Sequence, residues 1–116
     1  MVGQKARIVT RLIYEVTSEG LCSKDFGMRD QLRRASVSIM ANIAEGFGRR
    51  SNREFANFLN MAHGSAAEVQ SHLYAALDLK YIDEPTFTQL YTRLDEISRM
   101  LMRLNQHLRA STSPSP

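Results

Sequence analysis

From Val2 to Ser18, apolar residues fall at Ala6, Val9, Ile13 and Val16, with Ile8, Leu12 and Tyr14 widening the stripe. Three-and-four spacing of this kind marks one face of a helix, and Gly20 supplies a stop. Residues 20 to 28, GLCSKDFGM, read as a loop. A second helix is expected from about Arg29 to Phe47, with Leu32, Ala35, Ile39, Ile43 and Phe47 on one face and Gly46 and Gly48 at its end. The third segment has the clearest start. Ser51-Asn52-Arg53-Glu54 fits the S-x-x-E capping box, in which the serine and glutamate side chains each satisfy a free backbone N–H. Phe55, Leu59, Ala62, Ala66, Val69, Leu73 and Ala76 then form a heptad seam. A helix from 52 to about 79 spans on the order of 40 Å. Residues 81 to 85 make a turn with Asp83 as a cap and Pro85 in the next first turn. A second seam follows through Phe87, Leu90, Leu94, Ile97, Leu101, Leu104 and Leu108. Four helices with short connections predict an all-α fold, an antiparallel up-down-up-down four-helix bundle over residues 1–110. The long seams favour near-parallel crossings of about 20°. The polar Pro/Ser-rich tail, 111–116, is expected to be disordered.

The second segment departs from the usual pattern of one apolar stripe and a wet back. Beside its core face, Val37, Met40 and Ala44 continue the apolar surface around the helix, and Ala41 lies nearly opposite Ile39. A helix apolar most of the way round is buried most of the way round. In so small a protein the cover must come from outside, so Val37, Met40, Ala41 and Ala44 are read as a subunit interface. The small residues Ala35, Ser36, Ser38, Ala41 and Ala44 would allow close backbone approach. The alternative is a helix central in its own bundle. Asn42 and Glu45, three apart, are read as structural polar groups, since a carboxylate here needs a partner.

Composition changes this picture in one place. The net charge is +3 over 116 residues, but its distribution is uneven. Between Arg29 and Arg53 stand six arginines and only two acids, Asp30 and Glu45; the rest of the chain is nearly balanced. A single cysteine, Cys22, permits no internal disulfide and suits a reducing compartment. The N-terminus has no signal-peptide core, and no run has membrane-spanning length. A cytoplasmic, non-membrane protein is therefore expected.

No reaction is legible. The Glu-x-x-His motif of di-iron bundles is absent: Asn60, Val69 and Leu104 stand three residues before His63, His72 and His107. Glu68 and His72, four apart, are spaced to pair or to share a metal, but a lone pair of this kind reads as a solvated helix face. The GFG at 46–48 lacks the spacing and lysine of a phosphate loop. No enzyme activity, cofactor or metal is expected.

The stretch from Gln31 to Leu73 resembles the four-helix bundle proteins encoded in intervening sequences of bacterial 23S ribosomal RNA genes. The resemblance rests on Leu32 to Ala35, Ser38-Ile39, Ala41 to Gly46 (ANIAEG), Arg49, Ser51, Phe55, Phe58-Leu59, Ala62, Gly64-Ser65 and Glu68. It extends weakly through QKAR at 4–7 and the last helix. Met40 stands where that family usually has proline, which implies a straighter second helix. The chain is expected to begin partway into the family's first helix. The resemblance implies a ring, most often a homopentamer, without enzyme activity. It also implies kinship with the accessory proteins of diversity-generating retroelements, which are thought to bind nucleic acid and a reverse transcriptase.

What remains is electrostatic. Arg33 and Arg34 lie early in the second helix; Arg49, Arg50 and Arg53 bracket the turn into the third. Arginines repeated around a ring suit phosphate backbones. With few aromatics beside them, binding to RNA or DNA would be backbone-led. The competing reading is an interaction module whose arginines serve assembly or an acidic partner; the plainest is that they pair with Glu45, Glu54, Asp30 or acids of a neighbouring subunit, or stay solvated.

Overall fold

The computed structural model describes residues 1–112 of the chain, with side-chain surroundings to Ala110. Four helices carry it: α1 (Val2–Thr17), α2 (Phe26–Phe47), α3 (Asn52–Asp78) and α4 (Glu84–Thr112), with a short 3-10 turn at Gly20–Lys24. Helices α2, α3 and α4 pack in sequence, and α1 closes the bundle against α2 and α4. This is an antiparallel four-helix bundle, 57 × 21 × 19 Å. Its core is one cluster, with Ala6, Ile13, Ile39, Ala66, Val69, Leu94 and Ile97 almost fully enclosed. Among the described residues, every buried side-chain nitrogen or oxygen has a hydrogen-bond partner, as a close-packed interior demands.

The expected seams hold with local changes. In α3 the seam runs from Leu59 to Ala76, with Ala56 rather than Phe55 in the innermost position at its start. Near the end of α4, Asn105 is buried while Leu104 is only half-buried. Phe47, assigned to the core face of α2, is 54% exposed. It lies in the last turn and rests on the Phe55 ring, 4.8 Å away between centroids, outside the main core. The α4 helix runs to Thr112, two residues into the segment read as a tail. The remainder of that tail, 113–116, lies outside the described residues.

The loop expected at 20–28 is mostly helical. Gly20 takes φ +60, a left-handed conformation that glycine adopts without a Cβ clash, and Cys22 then turns inward and is fully buried. Burial pushes the Cys22 thiol up, with the nearby Asp25 charge adding to it. Helix α2 starts at Phe26, three residues earlier than expected, because Asp25 caps it: its Oδ1 accepts from the Met28 N–H at 3.1 Å. Its other oxygen accepts from the Tyr81 hydroxyl at 2.9 Å. One carboxylate thus ties the start of α2 to the α3–α4 turn.

Those two donors hold the Asp25 carboxyl below the usual aspartate range. A depressed folded pKa stabilises the fold above the unfolded value of about 3.9, and the contribution is lost as pH falls through the folded value. Asp25→Asn is therefore expected to melt below the wild type at pH 7. The gap should close in acid, below about pH 4. A gap independent of pH in thermal melts would assign the cost to shape alone.

The other caps follow from local chemistry. Ser51 Oγ accepts from the Glu54 N–H at 3.1 Å, which is the serine half of the capping box. The Glu54 carboxylate accepts from the Ser51 hydroxyl at 3.3 Å. Asp83 caps α4 through the Thr86 N–H at 2.9 Å. Helix α3 ends with Lys80 at φ 62. The Tyr81 N–H there reaches back to the Ala76 carbonyl and the Lys80 N–H to that of Leu77, a Schellman closure.

Of the two glycines expected at the end of α2, Gly48 ends the helix, with φ −85, an ordinary right-handed value, and Gly46 does different work. Gly46 is buried inside the helix. A Cβ there would lie 2.9 Å from Phe55 Cδ1 and 3.2 Å from Phe58 Cβ. The glycine lets α2 and α3 approach at the end where their connecting turn closes.

Candidate nucleic-acid interface

Antiparallel packing sets the start of α3 beside the end of α4. The Asn105 Nδ2 donates to the Ala56 carbonyl at 2.9 Å and to Asn60 Oδ1 at 3.1 Å, and its oxygen accepts from Arg109 Nε at 2.7 Å. The α4 half that carries Arg103 and Arg109 therefore meets the end that carries Arg49, Arg50 and Arg53. Only Glu45 and Glu54 offset them near that turn. At the other end stand Asp25, Asp30, Asp78, Asp83 and Glu84, together with Lys24, Arg29 and Lys80; because α2 starts at Phe26, Arg33 and Arg34 lie near its middle rather than early in it. One end of the rod is thus predominantly basic and the other mixed.

The five sequence-nominated arginines separate on inspection. Arg33 is engaged within the fold. Its Nε donates to Thr17 Oγ1 at 2.8 Å, its Nη2 to Ser18 Oγ at 3.0 Å and to the Tyr14 carbonyl at 3.5 Å. The guanidinium also lies over the Tyr14 ring at 4.6 Å. Helix α1 has no basic residue in its last turn, so Arg33 supplies the positive charge that a helix C-terminus favours. Arg34 is exposed, but it lies near the middle of α2, thirteen residues and about 20 Å before its end, away from the turn cluster. Arg49 pairs with Glu45 at 2.7 Å and covers the Phe58 ring at 4.6 Å. Arg50 and Arg53 are exposed, and no ion pair among the described residues uses either. The basic end is therefore built around Arg50 and Arg53, with α4 adding Arg109, an arginine that sequence reading did not connect to it. The available signal was Asn105 one turn after Leu101 in the seam, with Arg109 four residues further on.

The apolar side of α2 stands open in the single chain. Val37 is 38% exposed, Ala41 and Ala44 are exposed, and Met40 is half-buried against the core. A groove of about 380 Å³ extends this surface toward the start of α1, lined by Met1, Gly3, Met40, Ala44 and Phe47. Not every small residue of α2 belongs to it. Ala35 and Ser36 are buried inside the bundle, and Ser38 Oγ meets Ser65 Oγ of α3 at 2.9 Å. Asn42 donates to the Ser38 carbonyl and hydroxyl, one turn back on its own helix. Part of the close approach read as intersubunit is thus α2 against α3, where small side chains admit a neighbouring backbone.

Glu68 and His72 bond each other at 3.2 Å. Among the described residues, no three His, Cys, Asp or Glu side chains are grouped to share a metal ion. No described helix is long and apolar enough to cross a membrane.

Fold and surface together define a small antiparallel helical bundle with one basic end and one uncovered apolar helix face. The chain belongs to the 23S rRNA-intervening sequence protein family, whose model matches residues 1–103. A solved structure from Bacteroides thetaiotaomicron VPI-5482, described as a protein of unknown function from the S23 ribosomal protein family, is similar to it at 27% identity and a TM-score of 0.84. The match covers 90% of this chain and 98% of that one. Comparison with curated proteins finds no match.

Proposed function

We propose that this protein is a non-enzymatic scaffold that assembles into a ring and binds RNA or DNA through its basic end. The observation that carries the reading is that exposed Arg53 and α4's Arg109 line one cleft, beside exposed Arg50 at the α2–α3 turn. Guanidinium groups favour phosphate oxygens, and each contact releases condensed counterions. A ring repeats that end around its axis and multiplies weak contacts into useful avidity. The resemblance suggests a homopentamer, with a nucleic-acid enzyme as a further partner; the lone cysteine suits the cytoplasm.

Light scattering on purified protein, with mixed short RNA and DNA, tests this directly. A single oligomer should gain mass at low salt and lose that gain at moderate salt. An oligomer indifferent to every nucleic acid sinks the binding claim. A second reading, an interaction module without nucleic acid, draws on the internal use of Arg33 and the Arg49–Glu45 pair.

Assembly has its own test. The open apolar surface of Val37, Met40, Ala41 and Ala44 supports an interface between copies. Ala41→Arg places a charge at its centre and is expected to reduce the assembly to smaller species with unchanged helicity. An unchanged mass would remove this face from the interface.

A further inference from the structure

Two clefts open side by side between the start of α3 and the end of α4, and Arg109 lines both. The first, about 340 Å³, has Leu59 and Leu101 beneath it and Asn60, His63, Asn105 and Gln106 around it. The second, about 420 Å³, is lined by Asn52, Arg53, Ala56 and Asn57. Among the described residues, no acidic side chain lines either cleft. These volumes suit a small ligand rather than a lone ion.

We propose that this paired cleft binds a 5′-phosphorylated nucleotide, with base and phosphate divided between its two halves. The inference rests on the nucleic-acid reading above, since the cleft would seat one unit of a bound strand; a free nucleotide carries the same chemistry. The first half offers an apolar floor for a planar base, a histidine ring against which a base can stack, and several amides at its rim. Asn60 Oδ1 accepts from the Asn105 amide, whose own oxygen accepts from Arg109. Among the described residues, no hydrogen bond uses the Asn60 NH2, the Gln106 amide or the His63 ring. Carboxamides pair bidentately with adenine, donating to N7 and accepting from N6, so adenine is the favoured base. The second half carries Arg53, with Arg109 at the boundary. The Glu54 N–H in the first turn of α3 is already taken by Ser51, so the positive charge of this half comes from the two guanidinium groups. Both halves select an anion with a flat, hydrogen-bonding body.

Saturation-transfer NMR with adenosine 5′-monophosphate, on the intact protein, tests the assignment. Protein irradiation should reach the adenine H2 and H8 protons. Adenosine should bind more weakly than the monophosphate, and inorganic phosphate should compete at high concentration. Gln106→Ala should raise the Kd for the monophosphate about tenfold, and His63→Ala should weaken transfer to the ring. Neither side chain has a hydrogen bond among the described residues, so both variants are expected to fold. A 5′-phosphorylated tetra-adenylate that displaces the monophosphate assigns the cleft to a strand; failure to displace it assigns the cleft to a free nucleotide. Absent transfer from the monophosphate, or transfer unaltered in both variants, overturns the proposal. Transfer without strand binding defeats the scaffold reading and keeps the cleft; strand binding without transfer does the reverse.

Discussion

Gly46→Leu is expected to destabilise the bundle by about 3 kcal/mol or more, a fall in melting temperature of roughly 10–15 °C for a domain of this size. The reason is local. The first added carbon already meets Phe55 Cδ1 at 2.9 Å and Phe58 Cβ at 3.2 Å. The Phe55 ring can rotate, but it is packed on Phe47, and a Cβ moves only with its backbone. A leucine must therefore push α3 away from α2 beside the turn. Alanine is a weaker probe: its gain in helix propensity over glycine, about 1 kcal/mol, offsets part of the clash. Gly64 gives the contrast within the same protein. It lies inside α3, is exposed, and a Cβ there meets nothing within 4 Å. Gly64→Ala should then raise stability by about 0.5–1 kcal/mol. Thermal melts followed by circular dichroism decide the matter. Equal tolerance at the two positions would mean that close helix approach does not constrain residue 46.

Arg50→Glu combined with Arg53→Glu should reduce affinity for short single strands about 100-fold near 0.1 M salt, with helicity and assembly retained. Two phosphate contacts are lost and two repulsive charges take their place. The salt dependence should flatten as well, by about 1.4 in the log–log slope for each bound copy, at about 0.7 per contact for single strands. Arg33→Gln is the informative partner experiment. It removes three hydrogen bonds at the C-terminus of α1, so it should lower the melting temperature and leave affinity nearly unchanged. Fluorescence anisotropy at three salt concentrations separates the two effects. If the Arg50/Arg53 variant binds like the wild type, the turn is not the interface. If Arg33→Gln loses binding while its stability holds, Arg33 belongs to the interface after all.

Helix number, order and core faces were legible in the chain itself. They depend on the three-and-four spacing of apolar residues, on capping residues such as Ser51 and Asp83, and on turns too short for anything but antiparallel neighbours. These are near-neighbour properties, carried by a few consecutive residues. Helix α2's early start was readable in principle from Asp25, but the two glycines nearby masked it as a loop. Other features required the folded molecule. Arg33 and Arg50 look alike in sequence, yet one is engaged by the end of α1, sixteen residues before it, and the other stands exposed at a turn. Arg109 joins the basic end only because antiparallel packing brings Asn105 against Ala56, forty-nine residues away. Gly46 reads as a helix stop until the Phe55 and Phe58 side chains are placed against it. A residue's spacing along a helix determines the direction in which it points. What it meets there depends on a different helix, and that pairing is settled only when all four pack together.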